Sequence, residues 1–179
     1  MNRVEAIKDQ DKIEEMKSKL FKSSYRDYLL FVIGINTGLR ISDILNLKVS
    51  DVKDKDHIII NEDKSGKEKK YLINPQLRKE IDKYIINMKD WQHLFQSQKG
   101  HNQPISRVQA YRVLKKAAKE LRINDVGTHT LRKTFAYHHY LKNRDLALLQ
   151  DLFNHSSPSL TLNYIGIDEA VMDKNIIVK

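Results

Sequence analysis

The sequence predicts a mainly helical α+β fold with one small three-stranded antiparallel sheet. Three observations carry that expectation. Apolar residues recur at helical spacing in segment after segment. One stretch, residues 48–73, switches to short runs of β-forming residues. The three prolines and six glycines do not cluster, so nothing marks an internal linker.

Taken in order, Asp11-Lys12-Ile13-Glu14 pairs an N-cap residue with an acidic residue three positions on, and predicts a helix to about Phe21. A second helix starts near Ser24, carries Tyr28, Leu29, Val32 and Ile33 on its apolar face, and stops at Gly38. A short helix follows, with Ile41, Ile44 and Leu45 facing inward. Residues 48–52, 57–61 and 71–73 are the expected strands, with Lys64-Ser65-Gly66-Lys67 as a hairpin tip. After Pro75 the helical period returns through Leu77, Ile81, Tyr84, Ile85 and Met88. Residues 96–104 form a polar loop. Ser106 then caps a helix carrying Val108, Tyr111, Leu114 and Leu121. Helices over 130–141 and 145–153 follow, and Pro158 opens a short helix containing Tyr164.

Composition narrows the function. Lys and Arg total 32 against 23 acidic residues, a formal charge of +9, with 40% hydrophobic residues. This is a globular composition whose basic excess favours a polyanionic partner, either nucleic acid or an anionic membrane. No apolar run approaches the roughly 18 residues that span a bilayer. Met1-Asn2-Arg3-Val4-Glu5 lacks the apolar core of a secretory signal, so the expected location is cytoplasmic. The chain has no cysteine, which excludes disulfides, iron–sulfur sites and thiol nucleophiles.

Three stretches could carry chemistry. In Thr37-Gly38-Leu39-Arg40-Ile41-Ser42-Asp43, Arg40 lies at a helix junction where its fork can reach an anion, with Asp43 placed to orient it. By itself this also fits a surface Arg–Asp pair. In His129-Thr130-Leu131-Arg132, a spacing of three puts His129 and Arg132 on one face at a helix N-terminus, where an anion is favoured. A half-buried capping histidine beside an unrelated arginine has the same pattern. Tyr164, nine residues after His155, would ordinarily be packing. His138 and His139 are adjacent and diverge on a helix, and no His-Glu-x-x-His occurs, so no metal site is expected.

The order of these residues changes their weight: Arg, a hairpin Lys, His-x-x-Arg, His, then Tyr. From about Val4 to Asp168 the chain resembles the catalytic domain of the tyrosine recombinases, the phage-integrase family. The resemblance rests on Thr-Gly-Leu-Arg-x-x-Asp around Arg40, His-x-Leu-Arg at 129–132, and the His155-to-Tyr164 spacing. It implies a site-specific recombinase of integrase or invertase type that works through a 3′-phosphotyrosine. Arg40 and Arg132 would bind the scissile phosphate, Tyr164 would attack it, and His129 would assist the proton transfer. Lys64 would protonate the leaving 5′-oxygen, although Lys67, Lys69 and Lys70 lie close enough to compete for that role. His155 would hydrogen-bond the phosphate, and Asp43 would support the arginine. Lys67, Lys69 and Lys133 are expected against the DNA. No metal or other cofactor is implied.

The expected division is a catalytic domain over 1–168 and a C-terminal tail over 169–179 that acts between protomers. Double-stranded DNA is the expected partner, with a tetramer on DNA and a monomer or weak oligomer without it. The chain departs from the family in reading Phe153-Asn154-His155 where Leu-Gly-His is common. Its motifs also begin earlier than in members with an N-terminal clamping domain, so the expectation is either an excised domain or a short stand-alone member. A type IB topoisomerase-like nicking and closing enzyme would use the same residue types. A DNA-binding module without catalysis would be expected to have lost one of them.

Overall fold

The structure, a computed structural model, describes residues 4–62, 66–127 and 129–167. Six of the eight described helices begin where a side chain satisfies amides left unpaired at a helix start. In α1 (Gln10–Ser23) that residue is Asp9, two positions before the expected Asp11. Ser24 ends α1 and caps α2 (Tyr25–Thr37) through the Asp27 amide. α2 stops at Gly38, which is left-handed at φ 70°, ψ 15°. A β-carbon there would also strike the Phe135 ring. One turn earlier, Gly34 leaves room for Leu131, which a β-carbon would meet at 2.5 Å. The short α3 (Ile41–Asn46) follows, burying Ile41, Ile44 and Leu45.

Residues 48–52, expected as a strand, instead form a 3-10 turn at Val49–Asp51. The Asp51 carboxylate accepts the Lys48 amide at 2.8 Å, and Val49 and Val52 are both fully buried. A spacing of three puts both valines on the inner side of a turn, whereas in a strand they would face opposite ways. Among the described residues the sheet therefore has two antiparallel strands, β1 (His57–Asn61) and β2 (Glu68–Leu72), with Ile58 opposite Tyr71 and Ile60 opposite Lys69.

Asn74 caps α4 (Pro75–Ile85), and Ser106 caps α5 (Arg107–Glu120) in a reciprocal box with Gln109. The last three described helices are α6 (Thr130–Asn143), α7 (Leu146–Phe153) and α8 (Pro158–Ile165). Asn154 ends α7 in a left-handed conformation, φ 55°, ψ 39°, which asparagine tolerates better than other residues with a β-carbon.

Two apolar clusters hold the fold. The larger joins α1 to α5 through Met16, Leu29, Phe31, Ile44, Leu77 and Leu114. The smaller joins α6, α7 and α8 through Ala136, Tyr140, Leu149, Phe153 and Ile165. α6 belongs to both, since Leu131 lies in the first cluster and Ala136 in the second, and Leu152 packs against each. Arg132 sits on α6 between those two contacts. No described helix is long and apolar enough to cross a membrane.

Candidate active site

Arg132 lies in the first turn of α6 and is only 5% exposed. Its Nη1 donates to the Gly38 carbonyl at 2.8 Å, and its Nη2 donates to the Leu152 carbonyl at 3.1 Å. The guanidinium carbon stands 4.3 Å from the centre of the Phe153 ring. One side chain thus ties the end of α2 to the end of α7. Burial lowers the Arg132 pKa, the Tyr164 hydroxyl opposes that shift, and Arg40 adds to it. An arginine keeps its charge through such changes.

Arg40 is exposed at the N-cap of α3, directly after the left-handed turn at Gly38 and the buried Leu39. Its charge is felt at Arg132, His129, Tyr71 and Tyr164, which places the two arginines in one cluster.

Tyr164, half-buried on α8, packs with His155 at 5.2 Å between ring centres and with Phe153 at 5.3 Å. The Lys133 ammonium lies 5.0 Å from the same ring. Burial raises the Tyr164 pKa, while Arg132 and Arg40 hold it back. The phenol is therefore neutral at neutral pH, and needs a base to act as a nucleophile.

Two histidines have the properties of neutral partners. His155 Nδ1 lies 2.9 Å from the hydroxyl of the fully buried Thr161. When that hydroxyl donates to Nδ1, the ring proton is on Nε2. Burial lowers the His155 pKa, and Arg132 lowers it further. His129 occupies the N-cap position of α6 with its ring exposed. Partial desolvation lowers its pKa, as do the cations Arg132, Lys133 and Arg40. A shallow depression lined by Lys133, His155, Leu160, Asn163 and Tyr164 opens this cluster to solvent.

The supporting residues divide. Asp43 lies in the first turn of α3, and its charge reaches Tyr71. Lys67 is exposed beside the hairpin, where its carbonyl accepts the Glu62 amide at 2.9 Å. The Lys133 ammonium donates to the Val4 carbonyl at 2.8 Å. Lys69, expected against DNA, turns inward instead. It is 7% exposed, donates to the Asp151 carbonyl at 2.6 Å and pairs with Glu62, so it presents no charge to a phosphate backbone. Lys64 and the segment 169–179 lie outside the described residues.

Sequence reasoning missed Tyr71, Thr161 and Phe153. Tyr71 is buried on β2 with its hydroxyl facing Arg132, and burial raises its pKa against the pull of that guanidinium. The signal was the alternation along β2, where Lys69 and Tyr71 share the inner face. Among the described residues no cluster of His, Cys, Asp or Glu has the makings of a metal site.

Residues 6–170 match the Phage integrase family. The chain is 50% identical over 169 residues to the probable integrase/recombinase YoeC of Bacillus subtilis (strain 168), covering 94% of this chain and 93% of that protein. It is 31% identical over 145 residues to tyrosine recombinase XerA of Pyrococcus horikoshii, covering 79% of this chain and 50% of that protein. A crystal structure of XerA recombinase shares the fold with a TM-score of 0.77 at 22% identity, over 96% of this chain and 64% of that one. The XerH site-specific recombinase bound to its difH substrate gives 0.74 at 21% identity, over 96% of this chain and 53% of that one. The chain thus spans nearly all of one relative and half to two thirds of the others. With the family match covering almost its whole length, the chain belongs to the phage integrase family of tyrosine recombinases.

Proposed function

We propose that this chain cuts and rejoins duplex DNA at specific sites through a 3′-phosphotyrosine intermediate, with Tyr164 as the nucleophile. The observation that carries this reading is the Tyr164 hydroxyl facing the buried Arg132 guanidinium, with the His155 ring alongside. Arg132 has five N–H donors, two of which are committed to the Gly38 and Leu152 carbonyls. Three remain for the tyrosines and a phosphate.

In the reaction, Arg132 and Arg40 hold the non-bridging oxygens of the scissile phosphate and offset the charge that develops on them. The Tyr164 oxygen forms a bond to phosphorus as the bond from phosphorus to the 5′-oxygen breaks. The phenolic proton passes to neutral His129, and Lys64 supplies a proton to the departing oxygen. His155 donates a hydrogen bond from Nε2. Rejoining is the reverse, with the 5′-hydroxyl attacking the phosphotyrosine, so neither ATP nor a metal ion enters the chemistry. Lys67 and Lys133 add positive charge near the phosphate backbone. The protein acts in the cytoplasm as a tetramer on DNA, with residues 169–179 coupling one protomer to the next.

Trapping on a nicked duplex carrying the cognate site tests this. Tyr164→Phe should form no covalent adduct yet bind DNA as the unmodified chain does. An adduct with the phenylalanine protein would remove Tyr164 from the mechanism.

A further inference from the structure

The inner face of β2 should be apolar, yet it presents Lys69 two residues from the buried Tyr71. A buried ammonium is costly unless its donors are met. Lys69 Nζ donates to the Asp151 carbonyl at 2.6 Å, to Asn154 Oδ1 at 2.8 Å and to the Leu152 carbonyl at 3.3 Å. It also pairs with Glu62 Oε1 at 3.2 Å. The two carbonyls belong to the last turn of α7, the end of a helix that attracts a cation. Asn154 closes the circuit by donating from Nδ2 to Glu62 Oε1 at 2.9 Å.

The side chain of residue 154 is therefore gripped by both strands of the hairpin, through Glu62 just beyond β1 and Lys69 on β2. His155 is the next residue, and its amide donates to the Gln150 carbonyl at 3.0 Å. The Leu152 carbonyl is shared, accepting from Arg132 on one side and from Lys69 on the other. Backbone strain alone would favour glycine at a left-handed position. Asparagine adds what glycine lacks, a side chain with one acceptor and one donor that the hairpin holds.

We propose that Lys69, Glu62 and Asn154 form a positioning clasp, through which the hairpin sets the His155 imidazole and the Arg132 guanidinium relative to each other. The effect on cleavage rests on the recombinase reading. The positioning is a property of the protein without DNA. None of the three residues touches the phosphate in this account; they act through the α7–α8 turn.

The test uses the full chain with Asn154→Gly, Lys69→Met and both together. Asn154→Gly removes the clasp while relieving the left-handed strain, so it should fold with little change in melting temperature. By NMR without DNA, its His155 ring signals should shift and broaden while those of His93 and His101 do not. On saturating cognate nicked duplex, adduct formation should slow about tenfold to a hundredfold at unchanged DNA affinity, the range expected for a misplaced group. The double variant should be no slower than the slower single one, because both cut the same connection. Unchanged His155 signals and cleavage in Asn154→Gly would overturn the proposal, as would additive losses in the double variant. If the unmodified chain cleaves no duplex, the recombinase reading falls, and the His155 signals still decide the clasp.

Discussion

Replacing Arg132 by lysine keeps the charge and removes the fork. The guanidinium reaches two carbonyls with two nitrogens, Gly38 at 2.8 Å and Leu152 at 3.1 Å, and covers the Phe153 ring. A single ammonium cannot reproduce both directions at once. Losing one charge-assisted bond costs about 1.5–3 kcal/mol, and the lost ring contact roughly 0.5–1 more. Because the cation stays buried beside Arg40, no relief of desolvation compensates. A net loss of about 2–4 kcal/mol lowers the melting temperature by about 4–16 °C in a chain of this size. Cleavage should fall further, by about 10²–10³-fold, because a positioned donor to the developing phosphate charge is gone. Thermal unfolding followed by circular dichroism gives the first number. Adduct trapping well below the variant's melting temperature gives the second. A variant that melts with the unmodified protein and cleaves at a comparable rate would refute both the bridge and the clamp.

Gly38→Ala should destabilise the fold by more than about 2 kcal/mol, since the left-handed backbone alone costs about 1–2 and the new carbon strikes the Phe135 ring; chemical denaturation measures this, and a neutral outcome would contradict the turn. Cleavage should be level through neutral pH and decline only below about 6.5, because His129 and His155 are both held under the ordinary histidine value. Stability should decline over the same acid window, because the unfolded chain takes up protons there before the folded one does. His129→Gln should remove its part of the acid limb of cleavage, and a pH–rate profile identical to that of the unmodified chain would exclude His129 as the base. Affinity for duplex DNA without the cognate site should fall linearly on logarithmic axes with added salt, as phosphate contacts by a +9 chain require, and fluorescence anisotropy would expose a salt-independent mode. Cleavage should persist in excess EDTA, and dependence on a divalent ion would contradict the arginine mechanism.

What the sequence by itself determined is local or ordinal. Ser24 and Ser106 act as caps, Gly38 stops α2, and Pro75 and Pro158 open their helices, because capping and φ restriction depend on a few adjacent residues. The order Arg40, His129, Arg132, His155, Tyr164 was legible for the same reason, since spacing within each motif is a property of the chain. Only the tertiary structure decided that residues 48–52 curl rather than extend, where the Lys48–Asp51 bond and the shared burial of two valines outweigh β propensity. It alone showed that Arg132 spans two helix ends and that Tyr71 backs it. Lys69 is the sharpest case. A lysine between Glu68 and Lys70 reads as solvated, and only its place two residues before Tyr71 on β2 hints otherwise. Besides Glu62, its acceptors lie 82 to 85 residues away at the end of α7, and a charge is buried or exposed according to the partners that folding brings to it.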